Sequence, residues 1–525
     1  MAIVTFLGHA GLSVEAADFT LLCDPWLDPR GAYLGSWHQY PRNDHLDVAA
    51  LADADWVAVS HEHLDHMDPW FLSQLSPRTR VLIPKYPASA YRDRMMAAGV
   101  RNLVEIEPWE PFALDNHGSW ITAIPEVSPM CHDAAFLVVA DGHSVLNCND
   151  ARLTAAQARR AKHLAGGKLD LMGVQASGAA WHPMTYTNYT PEEVARIAAE
   201  KKLAKLRAVS RLVRSTEPVM AAPFAGPPVF LDPELQRFNW VLDRGDAGAY
   251  CDPEEAAEWL SERLPRVRWH AFKPGDKIDL ATGEITPDPV SAKFSFTEGR
   301  DEYIQRYAND RKTQIARIHA ENPEPGDELY PLFVSHFERL GTLSEYFNRN
   351  IDMTVRFDVT GPGGGRWDVV FAPGGITVGE AREEKPGYVI TVAGRWLMPV
   401  LKGEIAWEDL MISMRLSFYR DPDVYNDYLV GLLKHANEDA LRAVEEYETG
   451  RDESERIVVT GDDGTSYEIG RYCPHAGEDL SVGAVVRDGQ VWCLGHNFAF
   501  DLKSGECVNA RCLPLATRAI TPTTT

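Results

Sequence analysis

Two short runs near the C-terminus each pair a cysteine with a histidine. Cys473 and His475 form the first run, and Cys493 and His496 form the second, with residues 476–492 between them. Two thiolates and two imidazoles are the ligands of a Rieske [2Fe–2S] cluster, in which the thiolates bind one iron and the imidazoles the other. We therefore predict a one-electron carrier in this part of the chain. A zinc site with the same four ligands is the alternative, although these spacings fit zinc motifs poorly.

A second group of metal-binding residue types follows the apolar, strand-like run Trp56–Val59. The sequence there brings His61, His63, Asp65 and His66 together in the pattern H-x-H-x-D-H. Such side chains would leave costly unsatisfied polar groups if a core buried them without partners. The pattern therefore predicts metal ligands and, in an enzyme, the catalytic residues.

Three further residues of the same region could complete this metal site. His132, Asp150 and His182 each lie near the end of a predicted strand. Asp150 could bridge two ions, and the combined set of imidazoles and carboxylates suits zinc, iron or manganese. For His132 and His182, a hydrogen-bonded structural histidine is the alternative.

Two upstream residues, His9 and Asp24, also follow strand-like runs. They could orient the metal ligands through hydrogen bonds. In the alternative interpretation, His9 is a turn residue and Asp24 is a capping residue.

The composition is that of an ordinary globular protein. The chain has 525 residues, of which 45% are hydrophobic and 24% are charged, and this length favours about three domains. The formal net charge of −24 argues against nucleic acid or an anionic membrane as a partner. No apolar run has the length of a transmembrane helix, and the N-terminus lacks a signal-peptide pattern. We expect a cytoplasmic protein.

The patterning predicts a multidomain chain with α/β, α+β and all-β parts. These parts are an α/β metal-binding domain over 1–290, an α+β middle module over 291–436, an exposed helix and linker over 437–456, and a small all-β domain over 457–525. In the first domain, strand-like runs at Trp56–Val59, Val81–Ile83 and Phe136–Ala140 alternate with helical stretches such as 190–214.

In the middle module, a helical stretch over 335–349 precedes three strand-like segments. The segments are Met353–Val359, Trp367–Phe371 and Tyr388–Val392, and the glycine-rich run at 361–365 predicts a hairpin-type turn between the first two. A helix-rich piece over 405–435 follows.

The helix over 190–214 carries several basic residues. They are Lys201, Lys202, Lys205, Arg207, Arg211 and Arg214. These side chains could neutralise a phosphate or carboxylate on a substrate, or they could form a solvated helix face. Trp181, Tyr186 and Tyr189 could line a pocket beside His182 or pack in a core.

Several of these motifs resemble the metallo-β-lactamase superfamily, especially its phosphodiesterase- and lactonase-like branch. They are GHAGLSVE at 8–15, LLCDPWL at 21–27, SHEHLDH at 60–66 and CND at 148–150. The resemblance covers roughly residues 1–290 and implies an αββα sandwich with the metal site at one edge.

A narrower resemblance is to the CMP-N-acetylneuraminate hydroxylase family. The motifs that carry it are VLNCNDAR at 145–152, QASGAAWHPMTY at 175–186, MAAPFAGPPVF at 220–230 and AWEDLMISMRLSFYRDPDVYNDYL at 406–429. That family joins a Rieske domain to a metallo-β-lactamase-like domain and hydroxylates a CMP-linked sugar with O2 and electrons from a small redox carrier. This chain departs from the better-known members by having its Cys-His runs at the C-terminus, and residues 335–415 resemble a sterol-carrier-protein-type module.

These observations favour an oxidoreductase in which the cluster supplies electrons to the second metal site. One or two non-haem irons, or zinc, would bind at His61, His63, Asp65 and His66. The resemblance implies a monooxygenase that hydroxylates or N-oxygenates a small polar substrate, with anionic or nucleotide-sugar-like compounds as candidates. The expected partners are this substrate, O2 and a ferredoxin- or cytochrome-type donor with its reductase.

Two other functions remain open at this point. The first is a dizinc hydrolase of esters, lactones or phosphodiesters with a regulatory Rieske module. The second is a non-catalytic electron carrier. A homo-oligomer in which electrons pass between subunits is also left open.

Overall fold

The computed structural model describes residues 2–127, 129–177, 180–450, 454–474, 479–481, 483–494, 497–509 and 512–520. Among these residues, no helix combines the length and the apolar character that crossing a membrane requires. The chain forms a sandwich of two sheets, a middle module with a five-stranded sheet, and a C-terminal part with two small sheets.

Two sheets face each other in the first part of the chain, which we call the N-terminal sandwich. Its strands are β1 (Ile3–Gly8), β2 (Gly11–Glu15), β3 (Thr20–Cys23), β4 (Trp56–Ala58), β5 (Arg80–Pro84), β6 (Leu103–Ile106), β7 (Phe112–Ala113), β8 (Trp120–Pro125), β9 (Ala134–Ala140), β10 (His143–Asn147), β11 (Leu171–Gln175), β12 (Met220–Phe224), β13 (Arg268–Trp269), β14 (Lys277–Asp279) and β15 (Ile285–Thr286). The strand order is β15-β14-β1-β2-β3-β4-β5-β6 in one sheet and β13-β12-β11-β10-β9-β8-β7 in the other. Apolar side chains of both sheets, such as Leu21 and Phe136, share one core. The predicted strands β4, β5 and β9 are confirmed.

The strand directions bring several chain segments to one edge of these sheets. β3 runs parallel to β4, and β10 runs parallel to β11, so the segments after Cys23, Ala58 and Asn147 leave at the carboxyl ends of parallel strands. β1 points the same way as β3, because both pair antiparallel with β2, and the segment after Gly8 therefore reaches the same edge. In α/β sheets, ligands bind outside the carboxyl ends of the strands.

Helices cover the outer faces of both sheets. They are α1 (Val48–Ala52), α2 (Pro69–Leu72), α3 (Ala90–Ala97), α4 (Ala155–Leu164), α5 (Pro191–Thr216) and α6 (Pro253–Arg263). Apolar side chains of α1, α2 and α3 pack against the first sheet, and those of α4, α5 and α6 pack against the second. The expected αββα layering is therefore confirmed.

The ends of the long helix α5 follow from its sequence. Thr190 caps the first turn by accepting a hydrogen bond from the backbone N–H of Glu193, and Pro191 occupies the first helical position, where no N–H is needed. Glu217 ends the helix in a left-handed conformation. The helix predicted over 190–214 is confirmed.

A sheet with helices packed on it forms the core of the middle module. The strands are β16 (Met353–Thr360), β17 (Gly365–Ala372), β18 (Gly375–Glu380), β19 (Tyr388–Ala393) and β20 (Leu416–Arg420), and the helices are α7 (Arg300–Glu321), α8 (Leu329–Gly341), α9 (Glu345–Ile351), α10 (Gly394–Leu401), α11 (Trp407–Ile412) and α12 (Asp427–His435). β16 and β17 pair antiparallel, which confirms the predicted hairpin. Helix α7 shares a core cluster with Tyr33 and Trp37, so it joins the middle module to the sandwich.

Two details of the middle module differ from the prediction. The stretch 335–349 is not one helix, because α8 ends at Gly341 and Ser344 caps the start of α9 by accepting a hydrogen bond from the Phe347 N–H. The helix-rich piece over 405–435 also contains the strand β20, whose buried residues alternate as expected for one face of a sheet.

The helix that follows the middle module is less exposed than predicted. This helix, α13 (Glu438–Gly450), buries Ala440, Leu441 and Val444, and the last two belong to the core of the middle module. One face of the helix therefore packs, and Glu448 on this face accepts hydrogen bonds from the hydroxyls of Tyr346 and Tyr428. The acidic residues Glu438, Asp439 and Glu446 are exposed.

The C-terminal part contains two three-stranded sheets. Their strands are β21 (Arg456–Thr460), β22 (Ser466–Gly470), β23 (Ala484–Arg487), β24 (Gln490–Cys493), β25 (Ala499–Asp501) and β26 (Thr517–Ile520). Cys473 and Cys493 are buried in the core of this part, together with Ile469 and Phe500. The other two predicted cluster ligands, His475 and His496, lie outside the described residues.

Candidate metal centre

The H-x-H-x-D-H segment forms the loop between β4 and α2. Asp68 fixes the end of this loop, because its carboxylate accepts a hydrogen bond from the N–H of Phe71 at 3.0 Å and caps α2. The same carboxylate accepts hydrogen bonds from the N–H groups of Leu27 and Asp28, each at 2.8 Å. The loop is thereby tied to the segment that follows β3.

Three side chains form a first donor group, which consists of His61, His63 and Asp150. Their ligand atoms all lie within 4.8 Å of one another, and His61 Nε2 is 2.8 Å from His63 Nδ1. The two histidines follow β4 of one sheet, and Asp150 follows β10 of the other. This donor group therefore spans both sheets at the edge of the sandwich.

A second donor group consists of His9, Asp65 and His66. Asp65 Oδ2 lies 2.8 Å from His9 Nε2 and 3.9 Å from His66 Nε2. His66 Nε2 is also 3.4 Å from Asp150 Oδ1, so the two donor groups adjoin. The sequence predicts an orienting role or a turn position for His9, whereas in the structure its Nε2 lies among the donor atoms themselves.

The polar atoms at this junction fit a metal centre. Among the described residues, the buried atoms His9 Nε2, His66 Nε2 and Asp150 Oδ1 meet no partner with hydrogen-bond geometry. Buried polar groups without partners are costly, and these atom types are ligands of first-row metal ions. The two adjoining groups together fit one or two ions.

Asp24 orients two of these histidines from behind. Its Oδ2 is 2.8 Å from His66 Nδ1 and accepts a hydrogen bond from Ser60 Oγ at 2.5 Å. Ser60 Oγ in turn lies 2.8 Å from His61 Nδ1. Because their Nδ1 atoms are engaged in this way, both imidazoles turn Nε2 toward the donor groups, as metal-binding histidines do.

The electrostatics of the site favour positive charge. Burial alone would lower the pKa of His66, but the carboxylates of Asp150 and Asp65 raise that pKa well above its usual value. Burial would raise the pKa of Asp150, but the neighbouring His66 holds it below its usual range. Carboxylates that stabilise a protonated imidazole would equally stabilise a metal cation.

The middle module contributes side chains to the same site. Glu408 of α11 places its Oε2 3.1 Å from His63 Nε2, and Lys434 of α12 lies 3.0 Å from the same oxygen. Burial alone would lower the pKa of His63, but the Glu408 carboxylate raises it to about 9. Arg94 of α3 donates a hydrogen bond to Asp409 at 2.9 Å, which fastens α11 to the sandwich. No local sequence pattern indicates Glu408 or Lys434 as site residues, although the motif at 406–429 contains Glu408.

His132 does not enter either donor group of the described residues. Its ring stacks on Tyr86 with 4.9 Å between centroids, and its Nδ1 lies 3.3 Å from Glu62 Oε1. The next residue, Asp133, comes closer to the metal centre, with its Oδ1 3.7 Å from His61 Nε2. A direct metal-binding role for His132 stays a prediction.

His182 is likewise absent from the donor groups of the described residues. Its Nε2 lies 2.9 Å from the Tyr189 hydroxyl and 3.2 Å from Arg420, and its Nδ1 lies 3.0 Å from Lys201 Nζ. Burial and the charges of Lys201 and Arg420 lower the pKa of His182 well below its usual value. The structure therefore surrounds a neutral His182 with cationic and phenolic groups, and its predicted metal-binding role remains untested.

The basic helix α5 divides into two sets of side chains. Lys202 pairs with Glu255 at 3.2 Å, and Lys205 donates a hydrogen bond to Gln175 at the end of β11. Burial lowers the pKa of Lys205 to about 8, although Asp150 acts in the opposite direction. The side chains of Arg207, Arg211 and Arg214 are exposed. The helix thus has a solvated arginine face and a lysine face turned to the protein.

Comparison with known proteins identifies the two parts that carry these residues. The model of the Rieske [2Fe-2S] domain matches residues 433–519, and the model of the Beta-lactamase superfamily domain matches residues 20–209. The chain joins a metallo-β-lactamase-type domain to a C-terminal Rieske domain. The Rieske domain implies a [2Fe–2S] cluster, which confirms this predicted cofactor.

Relatives are similar over most of the chain. A protein of Mycolicibacterium smegmatis named as a Rieske 2Fe-2S iron-sulfur protein is 28% identical over 97% of this chain and 98% of its own length. The cytidine monophosphate-N-acetylneuraminic acid hydroxylase of Pan troglodytes is 25% identical over 81% of this chain and 70% of its own length.

A solved structure shows a partial likeness. CmlA, described as a diiron beta-hydroxylase from Streptomyces venezuelae, is 15% identical and covers 55% of this chain and 54% of its own, with a TM-score of 0.36. A likeness of this size carries no argument about activity.

Proposed function

We propose that this chain is a Rieske-dependent non-haem iron oxygenase that hydroxylates or N-oxygenates a small polar substrate. The observation that carries the proposal is the pair of adjoining donor groups, one buried and one partly buried, on a chain that also contains a Rieske domain. A Rieske cluster carries one electron at a time, and a metal centre with nitrogen and oxygen ligands can accept that electron. On one polypeptide, the two are therefore suited to act as electron donor and electron acceptor. The hydroxylases among the relatives support the same class of reaction.

Each donor group would hold one iron. The first would use His61, His63 and Asp150, and the second would use His9, Asp65 and His66, with Asp150 between them. When bound, the iron supplies the activation of O2, and the Rieske cluster supplies single electrons. Asp24 contacts His66 Nδ1 and Ser60 contacts His61 Nδ1, so both imidazoles keep Nε2 directed at the donor groups.

The protein also excludes water from this centre. The exposed fractions of His61, Asp65 and His66 are 1%, 2% and 0%. Glu408 and Lys434 cover the His63 side from the middle module. A site without bulk water would limit side reactions with solvent, because fixed protein dipoles replace the water around the reacting groups.

The substrate that we propose is a small anion. Lys201 and Lys205 of α5 turn cationic side chains toward the N-terminal sandwich, where they contact His182 and Gln175. A carboxylate or phosphate could pair with these groups, as charge-assisted hydrogen bonds to such anions are strong. A ferredoxin- or cytochrome-type carrier with its reductase would refill the cluster.

Metal analysis tests the proposal directly. We expect protein purified without added metal to contain iron in excess of the two atoms of the cluster. The double variant Cys473→Ser/Cys493→Ser should lose the cluster iron and retain the excess iron, whereas His61→Ala/His66→Ala should do the reverse. Zinc at the second site, with iron confined to the cluster and with ester or phosphodiester hydrolysis, would establish the hydrolase instead.

A further inference from the structure

The Rieske domain contacts the middle module through Asn497. This residue directly follows the predicted cluster ligand His496 in the sequence. Its Nδ2 donates hydrogen bonds to the backbone oxygen and to Oδ2 of Asp423, each at 2.8 Å. Asn509 donates a hydrogen bond to the Asn497 backbone oxygen at 2.7 Å and supports this residue from the other side. Val424, next to Asp423, packs against the core of the Rieske domain.

Asp423 is the hub of this contact. Besides Asn497, it accepts hydrogen bonds from the Tyr189 hydroxyl at 2.7 Å and from Arg420 Nε at 2.6 Å. Tyr189 and Arg420 both reach His182 Nε2, at 2.9 and 3.2 Å. An unbroken series of polar contacts therefore leads from Asn497 of the Rieske domain to His182, in the loop after β11 of the N-terminal sandwich.

Aromatic side chains surround the Arg420 end of this series. The Arg420 guanidinium lies 4.6 Å from the centre of the Tyr186 ring and 5.9 Å from that of Tyr425. The middle module that carries Arg420 also carries Glu408, which contacts His63 of the first donor group.

A second contact lies at the rim of the same interface. Arg487 of the Rieske domain lies 3.3 Å from Glu200 of α5, and its guanidinium stacks 4.2 Å above the Trp492 ring. The Rieske domain therefore touches both the middle module and the N-terminal sandwich of its own chain. Partly exposed ion pairs such as Arg487–Glu200 contribute little energy, whereas a hydrogen-bonded carboxylate hub contributes specificity.

We propose that Asp423, Arg420 and Tyr189 form a seat for Asn497, and thereby for the Rieske domain of the same chain. The seat fixes the cluster for electron transfer to the metal centre within one subunit, and this role rests on the proposed function. In this arrangement, one electron would pass from the reduced cluster to one ferric ion held by the donor groups, which would leave the cluster fully ferric and that ion ferrous. No bond would form or break, and a small iron-sulfur or haem protein would restore the cluster electron. Asp423 acts as a positioning residue.

Hydrogen exchange of the full-length, cluster-loaded protein tests the seat without any turnover. In Asn497→Ala and in Asp423→Asn, amides of residues 416–427 and 181–190 should exchange faster than in the wild type. Arg487→Gln is the control, because it removes the rim ion pair and the stack on Trp492 but none of the hydrogen bonds to Asp423, and it should leave 416–427 unchanged. Unchanged exchange at 416–427 in both seat variants would overturn the docking contact.

Anaerobic stopped-flow measurements test the electron transfer. The cluster is reduced chemically, the metal centre is loaded with ferric iron, and cluster absorbance reports its oxidation. We expect Asp423→Asn to slow this oxidation roughly tenfold to a hundredfold, because small displacements of reacting centres have effects of this size. The cluster EPR spectrum and midpoint potential should stay as in the wild type. In the wild type, the rate should not depend on protein concentration.

Further outcomes separate the two proposals. The double variant Asp423→Asn/Asn497→Asp swaps the two side chains and restores one carboxylate–amide pair. It should recover part of the rate of cluster oxidation and part of the amide protection. A rate that rises with protein concentration, or one that Asp423→Asn leaves unchanged, would overturn the seat. If the wild type shows the amide protection but its cluster never passes an electron to the iron, the proposed function fails and the docking contact stands.

Discussion

Glu408 Oε2 lies 3.1 Å from His63 Nε2, although the middle module and the H-x-H-x-D-H loop are far apart in the sequence. Lys434 holds the same carboxylate from α12, so two helices of the middle module border the metal centre. The N-terminal sandwich therefore supplies the ligand loop, and the middle module supplies part of its surroundings.

Removal of the Glu408 carboxylate should weaken metal binding. In Glu408→Ala, His63 loses its orienting partner and the positive charge of Lys434 is left beside the donors. We expect metal affinity to fall roughly tenfold to a hundredfold, which is the usual effect of losing such an orienting partner. Chelator competition followed by metal analysis measures this. Glu404→Ala, at an exposed position of the same module, should behave like the wild type. Equal retention of metal in both variants would contradict the role of Glu408.

Asp24 should matter through the histidines that it orients. Asp24→Ala removes the partner of His66 Nδ1 and of Ser60, so His66 and His61 lose their fixed orientation. A loss of metal affinity of roughly tenfold to a hundredfold is expected, with intact Rieske absorbance. The exposed Asp18 offers a matched control, since Asp18→Ala removes a carboxylate that has no contact with the donor groups. Wild-type metal content in Asp24→Ala would refute this assignment.

The placement of the histidines predicts two classes of variant. His66→Ala removes a member of the second donor group and should empty at least one metal position. His132→Ala and His182→Ala should retain the metal, because neither side chain joins a donor group among the described residues. Metal content per chain, measured after gel filtration, decides this. Loss of metal from His182→Ala would show that His182 binds metal in the loaded protein.

The two redox centres should be separable by mutation. His63→Ala should abolish turnover but leave the visible absorbance of the cluster, because His63 belongs to the first donor group alone. Cys473→Ser should remove that absorbance, because a serine oxygen replaces a thiolate ligand of the cluster. Absorbance spectra and reductant-dependent O2 uptake report the two properties. Full activity of His63→Ala would place the reaction elsewhere.

The binding of an anionic substrate should weaken as the pH rises. The pKa of Lys205 is lowered to about 8 by burial, so its positive charge is present below this pH and is lost as the pH increases through it. KM for an anionic substrate should therefore rise several-fold between about pH 7 and about pH 9. In Lys205→Arg, the charge persists over this range and the rise should be smaller. A pH-independent KM in the wild type would argue against a role for Lys205 in binding.

The local parts of the metal centre could be predicted from the sequence. His61, His63, Asp65 and His66 lie in one loop, so their spacing alone indicates a shared site. Asp150 could be predicted for a related reason, since it directly follows a strand, although that strand belongs to the other sheet of the sandwich. Glu408 could not be predicted as a neighbour of His63, because no local pattern indicates which face of the middle module contacts the sandwich.

The assignment of His132 shows a second limit of local patterns. In an extended segment, successive side chains point in opposite directions, so a shift of one residue decides which side chain faces the site. Asp133 comes within 3.7 Å of His61 Nε2, while His132 turns to Tyr86 and Glu62. The burial of Leu441 and Val444 in α13 has a similar cause, because a highly charged helix can still dock through a narrow apolar stripe.

One short stretch of the middle module, residues 408–423, touches both His63 and Asn497. These contacts require a Rieske domain whose surface matches this stretch. They do not depend on where that domain lies in the sequence. A gene rearrangement that moved this domain to the other end of the chain would preserve the arrangement whenever the new linker reached the same surface. Two proteins with opposite domain orders would then share one three-dimensional assembly, provided that both keep this surface.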